Sequence, residues 1–219
     1  MEVILRGILI VLTQGCKWRA IHRPGTAWNS VYQYYLRWTR QGVWTQLFCQ
    51  IEAPLKGSRC FLDSTHVKVH RSASNPCGGR HSQAMGRTKG GLNTKIHAVV
   101  DEAGRPIRLF LSAANEADIS HAETLVAKLP AAMLVADKGY DSDAFCQGLL
   151  ERGIKPCVPP RSNRKHRRPY SKRSYRKRHL VENFFERIKN FRRVSTRYDK
   201  LAETFLGFVC LSATLVSIV

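Results

Sequence analysis

Five side chains follow one another near the end of the chain at steps of 3, 4, 7 and 4: Tyr175, Arg178, Glu182, Lys189 and Arg193. On a helix those steps gather them on one stripe. Leu180, Val181, Phe184, Phe185, Ile188 and Phe191 are then left for the buried face. The stripe carries a carboxylate among cations. On an arbitrary helix that is one half of an i,i+4 ion pair. The alternative is a metal-binding carboxylate beside a phosphate-binding surface. Context favours it, because the row closes a long basic run and follows two aspartates, Asp63 and Asp137, in segments of strand character. Glu186 lies one turn beyond Glu182 on the same stripe, so periodicity alone does not choose between them. Glu186 has a structural alternative, because Lys189 and Asn190 lie at i+3 and i+4 and can pair with it.

Three carboxylates brought to one point repel unless cations lie between them. Hard oxygen ligands with open positions suit Mg²⁺ or Mn²⁺. Two such ions about 3.5–4 Å apart form the clamp of phosphodiester chemistry.

The elements must bring the acids together. Residues 59–70 read as a strand, alternating from Phe61 onward, with Asp63 inside it. An aspartate inside a strand is disfavoured and wants a reason. Residues 94–100 and 106–111 pair as a hairpin across a turn, so Asp101 and Glu102 are turn residues without chemistry. A helix follows over 118–129. Met133-Leu-Val-Ala136 is wholly apolar, as a central buried strand is, and it ends at Asp137. A helix over 141–152, capped by Asp141 or Ser142, leads to an edge strand over 154–158 that tolerates Pro156. The last helix runs from about 199 to the end. This order implies an α/β fold whose mixed sheet is covered on both faces. If the first and fourth strands are neighbours, Asp63 and Asp137 converge at the carboxyl end of the buried strand, where such sheets hold ligands.

Residues 1–52 read as short helices around tight turns. They are compatible with a helix-turn-helix-like module or with a small bundle that buttresses the main domain. A linker over 52–57 separates them from the domain over 58–219. Residues 71–91 form a Gly-rich basic loop with Lys89, either solvated or in contact with phosphate.

Of the 219 residues, 36 are Lys or Arg and 16 are Asp or Glu, for a net charge of +20. Such a field suits a polyanion partner; on charge alone an enzyme acting on nucleic acid and a passive basic protein are equal readings. From 161 to 178, ten of eighteen residues are Lys or Arg, among them Arg164, Lys165, Arg167 and Arg168, and 152–181 holds no acid. Such a block is usually disordered when free. The 7 scattered cysteines lack metal or disulfide spacing and fit a reducing cytosol. His66 and His70 read as packing or phosphate contacts. No leader is evident, and the apolar run at 205–219 is short for a membrane span.

The spacing Tyr175-x2-Arg178-x3-Glu182-x6-Lys189 resembles the Tyr-Arg-Glu-Lys signature of bacterial insertion-sequence transposases of the DDE class. The segments Leu62-Asp63-Ser-Thr, Gly86-Arg-Thr-Lys-Gly-Gly-Leu-Asn-Thr-Lys-Ile-His97 and Ala136-Asp137-Lys-Gly-Tyr140 are similar to the insertion sequence five family within that group. So are Gly15-Cys-Lys-Trp18-Arg19 and Arg37-Trp-Thr-Arg-Gln-Gly-Val-Trp44. The resemblance covers nearly the whole chain. It implies a ribonuclease-H-like mixed sheet flanked by helices, with a small N-terminal helical module. Asp63, Asp137 and Glu182 would be the catalytic, metal-binding carboxylates, loaded with Mg²⁺ or Mn²⁺. Tyr175, Arg178 and Lys189 would contact DNA, and Arg193, Arg164, Lys165, Arg167, Arg168 and Lys89 join them as expected DNA contacts. The implied protein binds the terminal inverted repeats of its element, cleaves there and joins the 3′ ends to target DNA. It would do so as a homodimer on double-stranded DNA, associated with the bacterial nucleoid and away from membranes. Relatives usually carry more residues ahead of the Ile8–Leu12 segment, which implies a shortened N-terminal module. An inactive remnant, another ribonuclease-H-like nuclease and a passive DNA binder are the rival readings.

Overall fold

A computed structural model of the chain describes residues 1–21, 26–50 and 59–218. The expected linker at 52–57 lies outside them.

The sheet is mixed and one strand organises it. That strand is β1 (Arg59–Val69). It pairs antiparallel with β3 (Gly91–Val100) and parallel with β5 (Met133–Ala136). Beyond β3 lies β4 (Pro106–Ala113), antiparallel, and beyond β5 lies β6 (Lys155–Cys157), parallel. Two short strands complete it. β2 (Gly86–Thr88) forms a hairpin with the start of β3, and β7 (Thr196–Arg197) pairs with the far end of β1. β5 is central and apolar because both its faces are covered.

The expected irregular loop over 71–91 therefore ends in a strand. Thr88 Oγ1 donates to the Gly91 carbonyl at 3.2 Å, and the Asn93 amide donates to Thr88 Oγ1 at 2.9 Å. These bonds pin a tight hairpin that glycine content alone disguises.

Alternation in β1 sorts its side chains. Cys60 and Leu62 face a core shared with α4 (Ile119–Val126) and α5 (Asp143–Glu151). Phe61 and Val67 face the other core, with Asp63 and Thr65 between them in the same parity. That second core is roofed by α7 (His179–Lys189), whose Val181, Phe184, Phe185 and Ile188 are buried, as the spacing predicts. The short α6 (Lys172–Tyr175) and a 3₁₀ turn over Arg176–Arg178 lead into α7, so its cationic stripe begins before the regular helix.

The first three helices do not enclose a core of their own. α1 (Glu2–Gln14), α2 (Trp28–Arg40) and α3 (Val43–Gln50) share the second core with α7 and with α9 (Ala202–Ile218). Tyr35 shows how: its ring stacks on Phe208 at 4.3 Å, and its hydroxyl donates to the Thr204 carbonyl at 2.5 Å. The aromatic residues of α2 and α3 at this contact are core, with Tyr35 and Trp44 buried. Among the described residues, no helix is long and apolar enough to cross a membrane.

A turn of helix, α8 (Arg192–Ser195), then β7 join α7 to α9. Two buried arginines fix this connection. Arg193 grips both oxygens of Asp199 at 3.0 and 2.9 Å, and its guanidinium lies against the rings of Trp18, Tyr198 and Phe208. Arg197 is fully buried and donates to Thr94 Oγ1 at 2.7 Å and to the Asp199 carbonyl at 2.9 Å.

Candidate active site

The two aspartates lie where two parallel strands part. β1 and β5 pair from Arg59↔Met133 to Leu62↔Ala136, and the next residues are Asp63 and Asp137. Both continue the parity of Phe61 and Val135, which lie in the core under α7. The two carboxylates therefore stand side by side on the face that α7 covers.

Each is held by its own backbone. Asp63 accepts from the Ser64 N–H at 2.8 Å. Asp137 accepts from the Gly139 N–H at 2.8 Å and caps the 3₁₀ turn Lys138–Tyr140. A side chain at 139 would not fit this arrangement, because a Cβ there would lie 2.8 Å from Asp137 Oδ1. Burial pushes the Asp63 carboxyl up to about 6, against the Ser64 hydrogen bond and Arg178; the nearby charges of Asp137 and Glu182 push the same way.

Arg178 ties the third acid in. Its Nη1 donates to Asp63 Oδ2 at 2.5 Å, and its Nη2 is bonded to Glu182 Oε1. Burial opposes its charge, yet Asp63 and Glu182 outweigh that and hold it protonated. Tyr175 lies under the same guanidinium, 5.9 Å from ring centre to Cζ. Lys189 reaches β1 from the far end of α7, donating to Thr65 Oγ1 at 2.5 Å and to the His66 carbonyl at 3.1 Å. Burial lowers its pKa.

The donor set fits a hard divalent cation: carboxylate oxygens, partly desolvated, with like charges close by. The direct convergence of all three acids that the sequence predicts is not the observed arrangement. Among the described residues, no three acids, histidines or cysteines come close enough together to hold an ion. The reason is Arg178, whose guanidinium stands between Asp63 and Glu182 and supplies the compensating charge itself.

The expected DNA contacts divide. Lys165 and Arg167 are exposed in the basic run, and Lys89 is exposed at the tip of the β2–β3 hairpin. Arg164 and Arg168 are committed elsewhere. Arg164 Nε donates to Asp141 Oδ2 at 2.8 Å, and Arg168 Nη2 donates to Asp141 Oδ1 at 2.6 Å. Arg193 is 5% exposed and paired with Asp199, so the stripe predicted from sequence ends at Lys189; the helix stops there and the chain turns inward. His70 caps a turn through Nδ1, which accepts from the Ser72 N–H at 3.2 Å.

Sequence reasoning missed the role of Asp141, assigning it only a helix cap. Ser142 takes that place, accepting from the Phe145 N–H at 3.5 Å. A signal was present: the acid-free run over 152–181 has to find its counterions elsewhere, and Asp141 and Asp143 are among the acids just before it.

This sheet order, with Asp63 inside β1 and Asp137 just past β5 where the parallel pairing of the two strands ends, is that of a ribonuclease-H-like core. The family comparison agrees. Residues 54–215 match the Transposase DDE domain, and residues 1–48 match the family described as "Putative transposase of IS4/5 family". The chain belongs to the DDE transposase family, in its bacterial insertion-sequence branch.

It is 33% identical over 129 residues to a Brucella ovis protein named "Putative transposase for insertion sequence element IS6501", covering 57% of this chain and 98% of that one. A Burkholderia cepacia protein named for element IS402 in the same words is 27% identical over 155 residues, covering 62% and 71%. In fold, the chain is similar to piggyBac transposase, solved as a synaptic complex with hairpin DNA. The TM-score is 0.61 at 9% identity, over 99% of this chain and 64% of that one.

Proposed function

We propose that this transposase binds the terminal inverted repeats of an insertion sequence, cuts at the ends and joins the 3′ ends to target DNA. The observation that carries the reading is the placement of Asp63 and Asp137 one residue past the last paired positions of β1 and β5, with Glu182 tied to Asp63 through Arg178.

In this reading Asp63, Asp137 and Glu182 hold the metal, Mg²⁺ or Mn²⁺. Bound there, it would supply Lewis acidity toward a phosphodiester and its attacking oxygen. The chain's own residues do the rest. Arg178 moves from the acids toward phosphate, where a guanidinium forms paired hydrogen bonds. Tyr175, on the same stripe, packs against the backbone beside it. Lys189 fixes the covering helix to β1 and faces the same strand. Lys165, Arg167 and Lys89 contribute sequence-independent attraction.

The division of labour we infer gives the chemistry to residues 58–219, including the basic segment 161–178, and end recognition to the helices of 1–52. The protein acts as a homodimer on its paired ends, at the nucleoid in the cytoplasm.

Incubation with DNA carrying the element's ends, with and without Mg²⁺, tests the proposal. The expected result is metal-dependent cleavage at the ends, followed by joined products when target DNA is present. Cleavage without joining would point to another ribonuclease-H-like nuclease. Binding without any cleavage would mark an inactive remnant or a passive binder.

A further inference from the structure

The basic run does not trail away from the molecule. It doubles back over the loop that follows β5, and a buried acid fastens it there. The side chain of Asp141 is 1% exposed, yet it carries its charge. Burial alone would raise its pKa; the Arg161 N–H, then Arg164 and Arg168, outweigh that and bring it below the ordinary range. Oδ2 accepts from the Arg161 N–H at 2.8 Å and from Arg164 Nε at 2.8 Å, while Oδ1 accepts from Arg168 Nη2 at 2.6 Å. Asp143, on the surface, shares Arg164 at 2.7 Å and Arg168 at 3.2 Å.

The clamp has a consequence at the start of the run. With its N–H on Asp141, Arg161 lays its guanidinium across the metal-site loop, donating to the Lys138 carbonyl at 3.2 Å and the Gly139 carbonyl at 2.9 Å. Between strap and loop lies an open crevice of about 490 Å³, lined by Asp137, Lys138 and Gly139 on one side and Arg161, Ser162 and Asn163 on the other. The exposed cations Lys165 and Arg167 follow in the strap.

We propose that Asp141 is a positioning residue that clamps the strap over residues 161–168 as the second wall of the crevice into which Asp137 opens, so that a DNA strand lies in that open crevice, beside the Arg161 bridge and past Asp137. What the strand undergoes there rests on the transposase reading, but the clamp and the strand's path do not. The arginines of the strap thus have two duties. Arg164 and Arg168 hold the wall in place, whereas Arg167, with Lys165, meets phosphate.

Charge arithmetic separates positioning from plain electrostatics. Asp141→Asn removes a negative charge beside DNA, so an unclamped electrostatic surface would bind DNA more tightly. The clamp requires the reverse. In a salt series with end-containing duplex and EDTA, Asp141→Asn binds more weakly. Its log–log salt slope falls by about 1.8, because each phosphate that Lys165 and Arg167 no longer neutralise takes away about 0.9. Asp141→Glu recovers part of the affinity. Unchanged or tighter binding by Asp141→Asn would overturn the proposal.

Should Asp141→Asn fail to melt cooperatively, a matched pair of variants decides. Arg164→Gln with Arg168→Gln and Lys165→Gln with Arg167→Gln remove the same charge from the same segment. The clamp predicts that only the first pair exposes residues 161–168 to proteinase K. Equal protection in both would overturn it. Because these measurements are made in EDTA, they stand apart from the metal chemistry: a wild-type protein that never cleaves would sink the reading of Asp137 and leave the clamp standing.

Discussion

Arg178 is bonded to Asp63 at 2.5 Å across 115 positions of sequence, and the same guanidinium holds Glu182. One cation thus serves two acids at once. A divalent ion at the same carboxylates would have to displace it. Arg178→Gln is therefore expected to bind Mn²⁺ more tightly in the absence of DNA, by about tenfold if the competing pair contributes about 1.4 kcal/mol. Titration followed by the spin-resonance signal of free Mn²⁺ measures this. Equal affinity in wild type and variant would mean that guanidinium and ion do not compete.

Gly139 is the next residue whose identity the site dictates. Its N–H binds Asp137 Oδ1 at 2.8 Å, and a Cβ would sit at that same 2.8 Å from the oxygen. Gly139→Ala should displace the carboxylate without disturbing the core. The expected outcome is a loss of metal-dependent cleavage of order 100-fold, the scale that small misplacements of reacting groups produce, with the thermal midpoint nearly unchanged. Wild-type cleavage in Gly139→Ala would show that Asp137 needs no such placement.

Much of this site is written in local pattern. The apolar Met133–Ala136 run names its own burial, and alternation from Phe61 fixes which way Asp63 points. The apolar side of α7 is equally legible, since Val181, Phe184, Phe185 and Ile188 follow helical spacing. What local pattern does not disclose depends on distant partners. Arg193 continues the cationic stripe in sequence, yet Asp199 and the rings of Trp18, Tyr198 and Phe208 draw it into the core. Composition marks the run over 161–178 as a basic block usually disordered when free, because nothing within it shows that Asp141 has a buried carboxylate to satisfy. The signature spacing singles out Glu182, but its bridge to Asp63 exists only through Arg178 and the packing of α7 on β1.

His97 gives the fold an acid-sensitive point away from the three acids. It is fully buried, its Nε2 lies 2.8 Å from Ser112 Oγ, and its Nδ1 has no hydrogen-bond partner among the described residues. Burial pushes its pKa down to about 4; Asp118 and Glu116 oppose this, while His121 and Lys95 add to it. Between that value and the unfolded value near 6.5, the unfolded chain binds the extra proton. Stability is then fully present above pH of about 6.5 and declines as pH falls toward 4, by at most about 3 kcal/mol. Urea unfolding at a series of pH values should show this decline in wild type and a shallower one in His97→Gln. Parallel curves for the two would assign the acid sensitivity to other groups.

Periodicity leaves the choice between Glu182 and Glu186 open, and we propose Glu182. Glu182 is bonded to Arg178 and its charge reaches Asp63. Glu186 is exposed one turn further along α7, on the side of the helix away from the buried Phe184, Phe185 and Ile188. Glu182→Gln is expected to abolish Mg²⁺-dependent cleavage of end-containing DNA. Binding should persist or tighten, since a negative charge near phosphate is removed. Glu186→Gln should keep most of its activity, because an exposed helical glutamate contributes only about 0.3–0.5 kcal/mol through its i,i+4 neighbours. Cleavage by the two purified variants, side by side in Mg²⁺, decides between them. A dead Glu186→Gln beside an active Glu182→Gln would shift the site by one helical turn, and the roles proposed for Arg178 and Lys189 would fall with it.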